Sequence, residues 1–147
     1  MAPITSTYRL QLRPDAFTLR DAAAQVDYFE ALGVSHLYLS PILTATSGST
    51  HGYDVTDPTT VSEGLGGREA LVELSRAVRS RGMCLIVDLV PNHVGVAKPR
   101  ENAWWWDVLT HGQSSEYAHF FDIDWAEDNG ANGADGKLSL PVLGSPD

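Results

Sequence analysis

Three short apolar runs, each cut off by a proline, alternate along this chain with two helical patterns, and that alternation constrains the fold more than any other feature. Thr7-Tyr-Arg-Leu-Gln-Leu12 alternates polar and apolar residues as a strand does, and Pro14 ends it. Leu19, Ala22, Ala23, Val26, Phe29 and Leu32 then recur at helical spacing behind Thr18, a good N-cap, with Gly33 closing a helix predicted over residues 18–32. Ser35–Ser40 reads as a second strand, stopped by Pro41. A second helix is predicted from Arg68 to Arg81, burying Leu71, Leu74, Ala77 and Val78, with Gly82 as its stop. The third run, Cys84–Asp88, reads as a strand buried on both faces. Pro91 cannot donate to a sheet ladder, so this strand ends before it.

Strand, helix, strand, helix, strand at this spacing implies an α/β fold with a parallel sheet built from βαβ units. Periodicity alone leaves a (β/α)8 barrel and an open doubly wound sheet both standing. Gln11-Leu-Arg-Pro-Asp15 lacks the glycines of a dinucleotide or phosphate-binding loop, which weakens the open nucleotide-binding reading. In either architecture, sites form beyond the carboxyl ends of the strands. Residues 41–66 are rich in Gly, Ser and Thr and too long for a mere connector, so they read as a functional loop. After His93 the alternation stops. A short helix is expected from Glu101 to about His111 around Trp104-Trp-Trp106, then an aromatic and acidic stretch, a Gly/Asn/Asp loop over 128–136 and the start of a strand at 137–144. The sequence runs to Asp147 with no closing element, and the whole reads as the front of a larger domain.

Two groups of residues carry candidate chemistry. Asp88, Asn92 and His93 fall just past the third strand, where a carboxylate can orient a neighbouring group or accept from a polyol and a histidine can donate to a hydroxyl. On spacing alone, Asp88 capping a turn and His93 sitting in an ordinary loop serve equally well. His51-Gly-Tyr53-Asp54 sets an aromatic ring beside a carboxylate, which suits a sugar; a glycine turn with a local Asp cap is the alternative. His51, Asp54, Asp88 and His93 could in principle form a His/Asp metal site, but nothing in their spacing is that of a ligand motif. Three consecutive helical tryptophans point in three directions, so one or two of them belong to a core.

The formal net charge of −9, from 10 Lys+Arg against 19 Asp+Glu, disfavours nucleic acid and anionic membrane surfaces as partners and leaves neutral substrates open. The first residues carry no basic segment followed by an apolar core, no apolar run reaches the length of a membrane span, and the one cysteine, Cys84, falls inside a strand. A cytoplasmic protein is expected, and no protein partner can be inferred.

Asp88-Leu-Val-Pro-Asn92-His93 resembles the first conserved region of the α-amylase superfamily, glycoside hydrolase family 13, and His51-Gly-Tyr53-Asp54 resembles the segment after its second barrel strand. Within that superfamily, Thr7–Leu12, Leu32–Ile42, Gly48–Pro58, Trp105–Leu109, Phe121–Trp125 and Leu140–Gly144 are similar to the branch of glucosylmutases that form trehalose ends. The resemblance implies the first three β/α units of a TIM (β/α)8 barrel over residues 1–93 and the start of an inserted B domain over 94–147. It implies a maltooligosaccharide substrate whose terminal α-1,4 bond becomes an α,α-1,1 bond by a retaining mechanism. It implies that Tyr53 stacks on the glucose before the scissile bond, that His93 contacts that glucose's primary hydroxyl, that Asp54 and His51 lie nearby, and that Asp88 supports the site. Asn92 matches a position that ligates calcium in many amylases; it is given a structural role here, and no metal or cofactor is expected. The nucleophile and general acid of the resembled enzymes lie on later strands, expected beyond Asp147. No residue here is therefore expected to be catalytic, and the chain alone is expected to be inactive. A fragment of another α-amylase-superfamily hydrolase or transferase, or a glucan-binding module without catalysis, is the competing expectation.

Overall fold

The computed structural model describes residues 3–123 and Trp125. Three strands, β1 (Thr7–Leu10), β2 (His36–Leu39) and the later Cys84–Val87, form a parallel sheet with β2 in the middle. The register pairs Arg9 with Tyr38 and Tyr38 with Ile86, so alternate residues of the three strands share faces. Leu37 and Leu39 of the central strand are fully buried. They meet Leu10 and Leu12 from the first strand's end and the apolar faces of the crossover helices in one core.

The first crossover is two short helices, α1 (Leu19–Ala24) and α2 (Val26–Ala31), rather than the single helix that periodicity predicts. Gln25 (φ −100°, ψ 6°) is the joint, and its N–H reaches back to the Ala22 carbonyl at 3.2 Å. Leu19, Ala22, Val26 and Phe29 stay buried on both sides of it. The apolar stripe therefore looks continuous in sequence, while the backbone turns at a polar residue the stripe does not report. Thr18 caps α1 as expected, and the cap is reciprocal: the Thr18 hydroxyl accepts from the Asp21 N–H while the Asp21 carboxylate accepts from the Thr18 N–H. Gly33, at φ 75°, takes the left-handed position that ends α2.

Residues 41–66 are not the plain loop that their composition suggests. They hold an antiparallel hairpin, β3 (Leu43–Ala45) and β4 (Val55–Val61), with register shifts between Leu43 and Thr44 and again between Thr44 and Ala45. Its threonines and valines are β-branched and suit a strand, and Pro58 is accommodated in an irregular ribbon that does not need every N–H. The second crossover helix, α3 (Gly67–Ser80), buries Ala70, Leu74 and Val78, and Gly82 follows it at φ 72°.

The last strand of the sheet, β5 (Cys84–Val87), is half-buried at all four positions instead of buried on both faces, and Cys84 with it. Among the described residues it pairs on one side only, with β2, so its outer edge lacks the cover that makes β2 a core strand. The chain then runs through a short 3-10 turn (Pro99–Glu101) into α4 (Ala103–His111).

Residues 1–103 and 104–147 form two compact units. In the first, Gly95 packs so closely that a Cβ there would sit 2.6 Å from the Asp54 carbonyl oxygen, and its N–H donates to the Val55 carbonyl at 2.7 Å. In the second, Trp105 and Val108 are buried, Trp104 is half-buried and Trp106 is 37% exposed, which is the division the tryptophan run calls for. The loop expected at 128–136, the strand expected at 137–144 and the final residue, Asp147, lie outside the described residues. Among the described residues no helix is long and apolar enough to cross a membrane.

Candidate functional site

The third strand ends where its sequence says it does. The Asp88 N–H still donates to the Leu39 carbonyl at 3.0 Å, after which Pro91 prevents the ladder from continuing. Asp88 lies two residues beyond Ile86, whose register partner is Tyr38, and Tyr38 in turn pairs with Arg9. One face of the sheet thus lines up Arg9, Tyr38 and Asp88 near its carboxyl edge. Asp88 Oδ2 accepts from the Tyr38 hydroxyl at 3.2 Å, and Arg9 Nη2 lies 3.8 Å from the same oxygen.

The fourth member arrives from the hairpin loop. Gly52 takes φ 77°, and a Cβ there would come within 3.1 Å of the Pro41 carbonyl oxygen, so the turn before Tyr53 is built around a glycine. Tyr53 then donates its hydroxyl proton to Asp88 Oδ2 at 2.7 Å and accepts from Arg9 Nη2 at 2.9 Å. The hydrogen bond to the Asp88 carboxylate, helped by desolvation, raises the Tyr53 pKa above the ordinary phenol value, with Arg9 opposing. The hydroxyl therefore remains a proton donor across the neutral range.

Asp54 and His51 form a second, adjacent group. Asp54 Oδ1 accepts from the Ser49 hydroxyl at 2.5 Å and lies 3.7 Å from His51 Nδ1, while the same nitrogen accepts from the Tyr53 N–H at 3.1 Å. The Asp54 carbonyl takes the Thr46 N–H at 3.0 Å. The structure thus joins Tyr53 to Asp88 and Ser49 to Asp54, with His51 bonded to the Tyr53 N–H beside them. Asn92 and His93 stand exposed on the loop beyond Asp88, outside these hydrogen-bonded groups. The four-residue His/Asp grouping is not assembled: among the described residues no three His, Cys, Asp or Glu side chains come close enough to hold one metal ion. A cavity of about 500 Å³ beside the hairpin, lined by Leu12, Pro14, Leu43, Ser49 and Leu65 among others, touches neither Tyr53 nor Asp88 and meets the Asp54 group at Ser49.

Arg9 and Tyr38 are the members that motif reading passes over. A signal for them exists in the sequence. Arg9 shares a strand face with Gln11 in the two-residue period, so both are placed on the polar side of the strand. Finding their partners requires the inter-strand register, which the sequence does not print.

The family of α-amylase catalytic domains matches residues 18–141 of this chain. The chain belongs to that family. At finer resolution it is 63% identical to a Mycobacterium tuberculosis protein that carries the name maltooligosyl trehalose synthase, a likeness covering 97% of this chain and 18% of that one. The solved structure of maltooligosyltrehalose synthase from Arthrobacter ramosus superposes with a TM-score of 0.79 at 61% identity, over 82% of this chain and 16% of that one. The intracellular maltogenic amylase of Bacillus subtilis is 36% identical over 71% of this chain and 17% of its own length. The chain therefore spans less than a fifth of the length of these relatives.

Proposed function

We propose that this chain is the amino-terminal part of a maltooligosyl trehalose synthase, an enzyme that isomerises the reducing-end α-1,4 bond of a maltooligosaccharide to an α,α-1,1 bond. The observation that carries the reading is the extent of the likeness. It covers 97% of the chain at 63% identity for a protein of that name, whereas the maltogenic amylase matches 71% at 36%. On this reading β1, β2 and β5 are the first three strands of a (β/α)8 barrel that residues 1–93 begin, and an inserted domain starts near Val94.

Each site residue then has a role that its contacts support. The Tyr53 ring stacks on the glucose before the scissile bond, since its hydroxyl is already engaged by Asp88 and Arg9. Asp88 is a supporting carboxylate, because its Oδ2 receives two tyrosine protons beside a guanidinium. Asp54, oriented by the Ser49 hydroxyl, hydrogen-bonds sugar nearby. His93, exposed at the same edge, contacts the primary hydroxyl of that glucose, and Asn92 shapes the loop.

The retaining mechanism needs one carboxylate as nucleophile and a second carboxylic acid about 5–5.5 Å from it. We assign both to the portion of the relatives' length that this chain does not span. The released glucose, held in place while water is excluded, attacks the glycosyl-enzyme through its own anomeric hydroxyl, so the bond is moved rather than hydrolysed. No cofactor enters either step, and a neutral glucan suits a chain of net charge −9.

The test is to express the complete reading frame that contains residues 1–147 and incubate the product with maltopentaose. Loss of reducing ends with no release of glucose, giving a trehalose-ended pentasaccharide, is expected. A rise in reducing ends places the protein with the hydrolases of the family and overturns the reading. The 147-residue chain alone is expected to show no turnover in the same assay.

A further inference from the structure

We propose that Arg9 is a positioning residue that sets the plane of the Tyr53 ring. The inference rests on the reading of Tyr53 as a sugar-stacking surface and goes beyond it, because Arg9 lies on β1, 44 residues from Tyr53 in sequence. Tyr53 sits on a turn outside any strand or helix, so no regular element fixes its ring. A single hydrogen bond to Asp88 leaves the ring free to pivot about that oxygen. A second bond, received from Arg9 Nη2 at 2.9 Å, removes the pivot.

Arg9 is itself held from three directions. Its guanidinium carbon lies 4.8 Å from the centre of the Tyr38 ring, a cation–π arrangement. Its Nη2 is 3.8 Å from Asp88 Oδ2 and 3.5 Å from Gln11 Oε1. Gln11 Nε2 continues to the His51 carbonyl at 3.4 Å, which ties the backbone two residues before Tyr53 to the same strand face. The Arg9 and Asp88 side chains are 35% and 19% exposed, so solvent screens this pair less than an ordinary surface pair. A phenol has one proton to give, and Tyr53 gives it to Asp88. With Arg9 bonded to the same oxygen, the ring face is what remains to meet a sugar. A lysine could not lie over Tyr38 and reach Tyr53 as a planar fork does.

The test is a double-mutant cycle in the full-length protein with Arg9→Met, Tyr53→Phe and the pair, reading kcat and KM on maltopentaose alongside melting temperature. Arg9→Met keeps the stem that covers Tyr38 while removing the donor. It is expected to lower kcat/KM by about tenfold, the scale of one charge-assisted hydrogen bond. Tyr53→Phe keeps the stacking ring but removes the hydroxyl through which Arg9 acts, so adding Arg9→Met to it is expected to cost no more than about twofold further. Losses that multiply in the double variant overturn the proposal, because a merely structural Arg9 would act whether or not Tyr53 has its hydroxyl. If Arg9→Met does not fold, Arg9→Lys carries the same cycle with the charge retained and the fork lost. A protein that hydrolyses maltopentaose sinks the proposed function but leaves the cycle readable on hydrolysis. For a protein without turnover, a crystal structure of the Arg9 variant decides: a rotated or multiply placed Tyr53 ring supports the link, and a ring unmoved on Asp88 overturns it.

Discussion

The cluster around Asp88 and the unit that begins at Trp104 use aromatic residues in opposite ways, although the first unit also packs Phe29 between the rings of Tyr8 and Tyr28 elsewhere. In residues 1–103, Tyr38 and Tyr53 are held through their hydroxyls by Asp88, with Arg9 over one ring and bonded to the other's oxygen. In the unit that begins at Trp104, rings hold rings. Trp104 stacks on Tyr117 at 6.0 Å between centres and meets Phe120 edge-on at 5.0 Å, while Trp105 lies 5.0 Å from Phe121. Ring-on-ring packing stabilises through area and leaves no charge to direct, whereas a hydroxyl tied to a carboxylate fixes an orientation. The first pattern suits a site and the second suits packing, with Trp105 buried at its inner side and Phe120 exposed at its outer side. An aromatic run is therefore weak evidence for sugar binding until its partners are known.

The largest expected effect falls on the ring cluster. Trp105→Ala removes a buried indole and is expected to cost about 3–5 kcal/mol of the stability of its unit. Denaturant unfolding followed by near-ultraviolet circular dichroism checks this. A loss below about 1 kcal/mol would remove Trp105 from the core and undo the contrast with the Asp88 cluster.

Asp88→Asn is next. It strips the charge that receives both tyrosine protons, and turnover of the full-length protein is expected to fall tenfold to a hundredfold, about 1.5–3 kcal/mol. If the loss is confined to melting temperature and kcat is unchanged, the cluster is a fold device and its difference from the ring cluster disappears.

The smallest effect is shared by the two units and sharpens what they have in common. Hydrogen bonds from Ser47 lower the pKa of Glu101 in one, and a hydrogen bond from the Ser115 hydroxyl lowers that of Asp107 in the other. A carboxylate with a depressed folded-state pKa favours folding while it is ionised. Its contribution is complete above the ordinary carboxylate range and is lost as the pH falls through the lowered values. Stability is therefore expected to hold from neutrality down to the upper edge of that range and to decline below it. Urea midpoints measured across this acid limb check the direction. Ser47→Ala and Ser115→Ala are expected to flatten it, and an unchanged limb in both would show that these contacts carry no linkage.

Several features were legible from residues alone because each rests on local chemistry. The N-cap at Thr18, the left-handed stop at Gly33, the end of β5 before Pro91 and the glycine turn before Tyr53 follow from side-chain hydrogen bonding, from the missing proline N–H and from the freedom of a residue without Cβ. The order of strands and helices followed from periodicity, and motif resemblance singled out Asp88 and the His51–Asp54 segment, which meet through Tyr53. What the sequence did not carry was long-range pairing. The break at Gln25 leaves the apolar stripe intact, and the hairpin within 41–66 is hidden because threonine and serine suit loops and strands alike. β5 looked doubly buried because apolar composition states what a strand can bury, while its neighbours decide what is covered. Arg9 joined the site only when the parallel register set β1 beside β2. Register is a property of three strands together, and no one of them contains it.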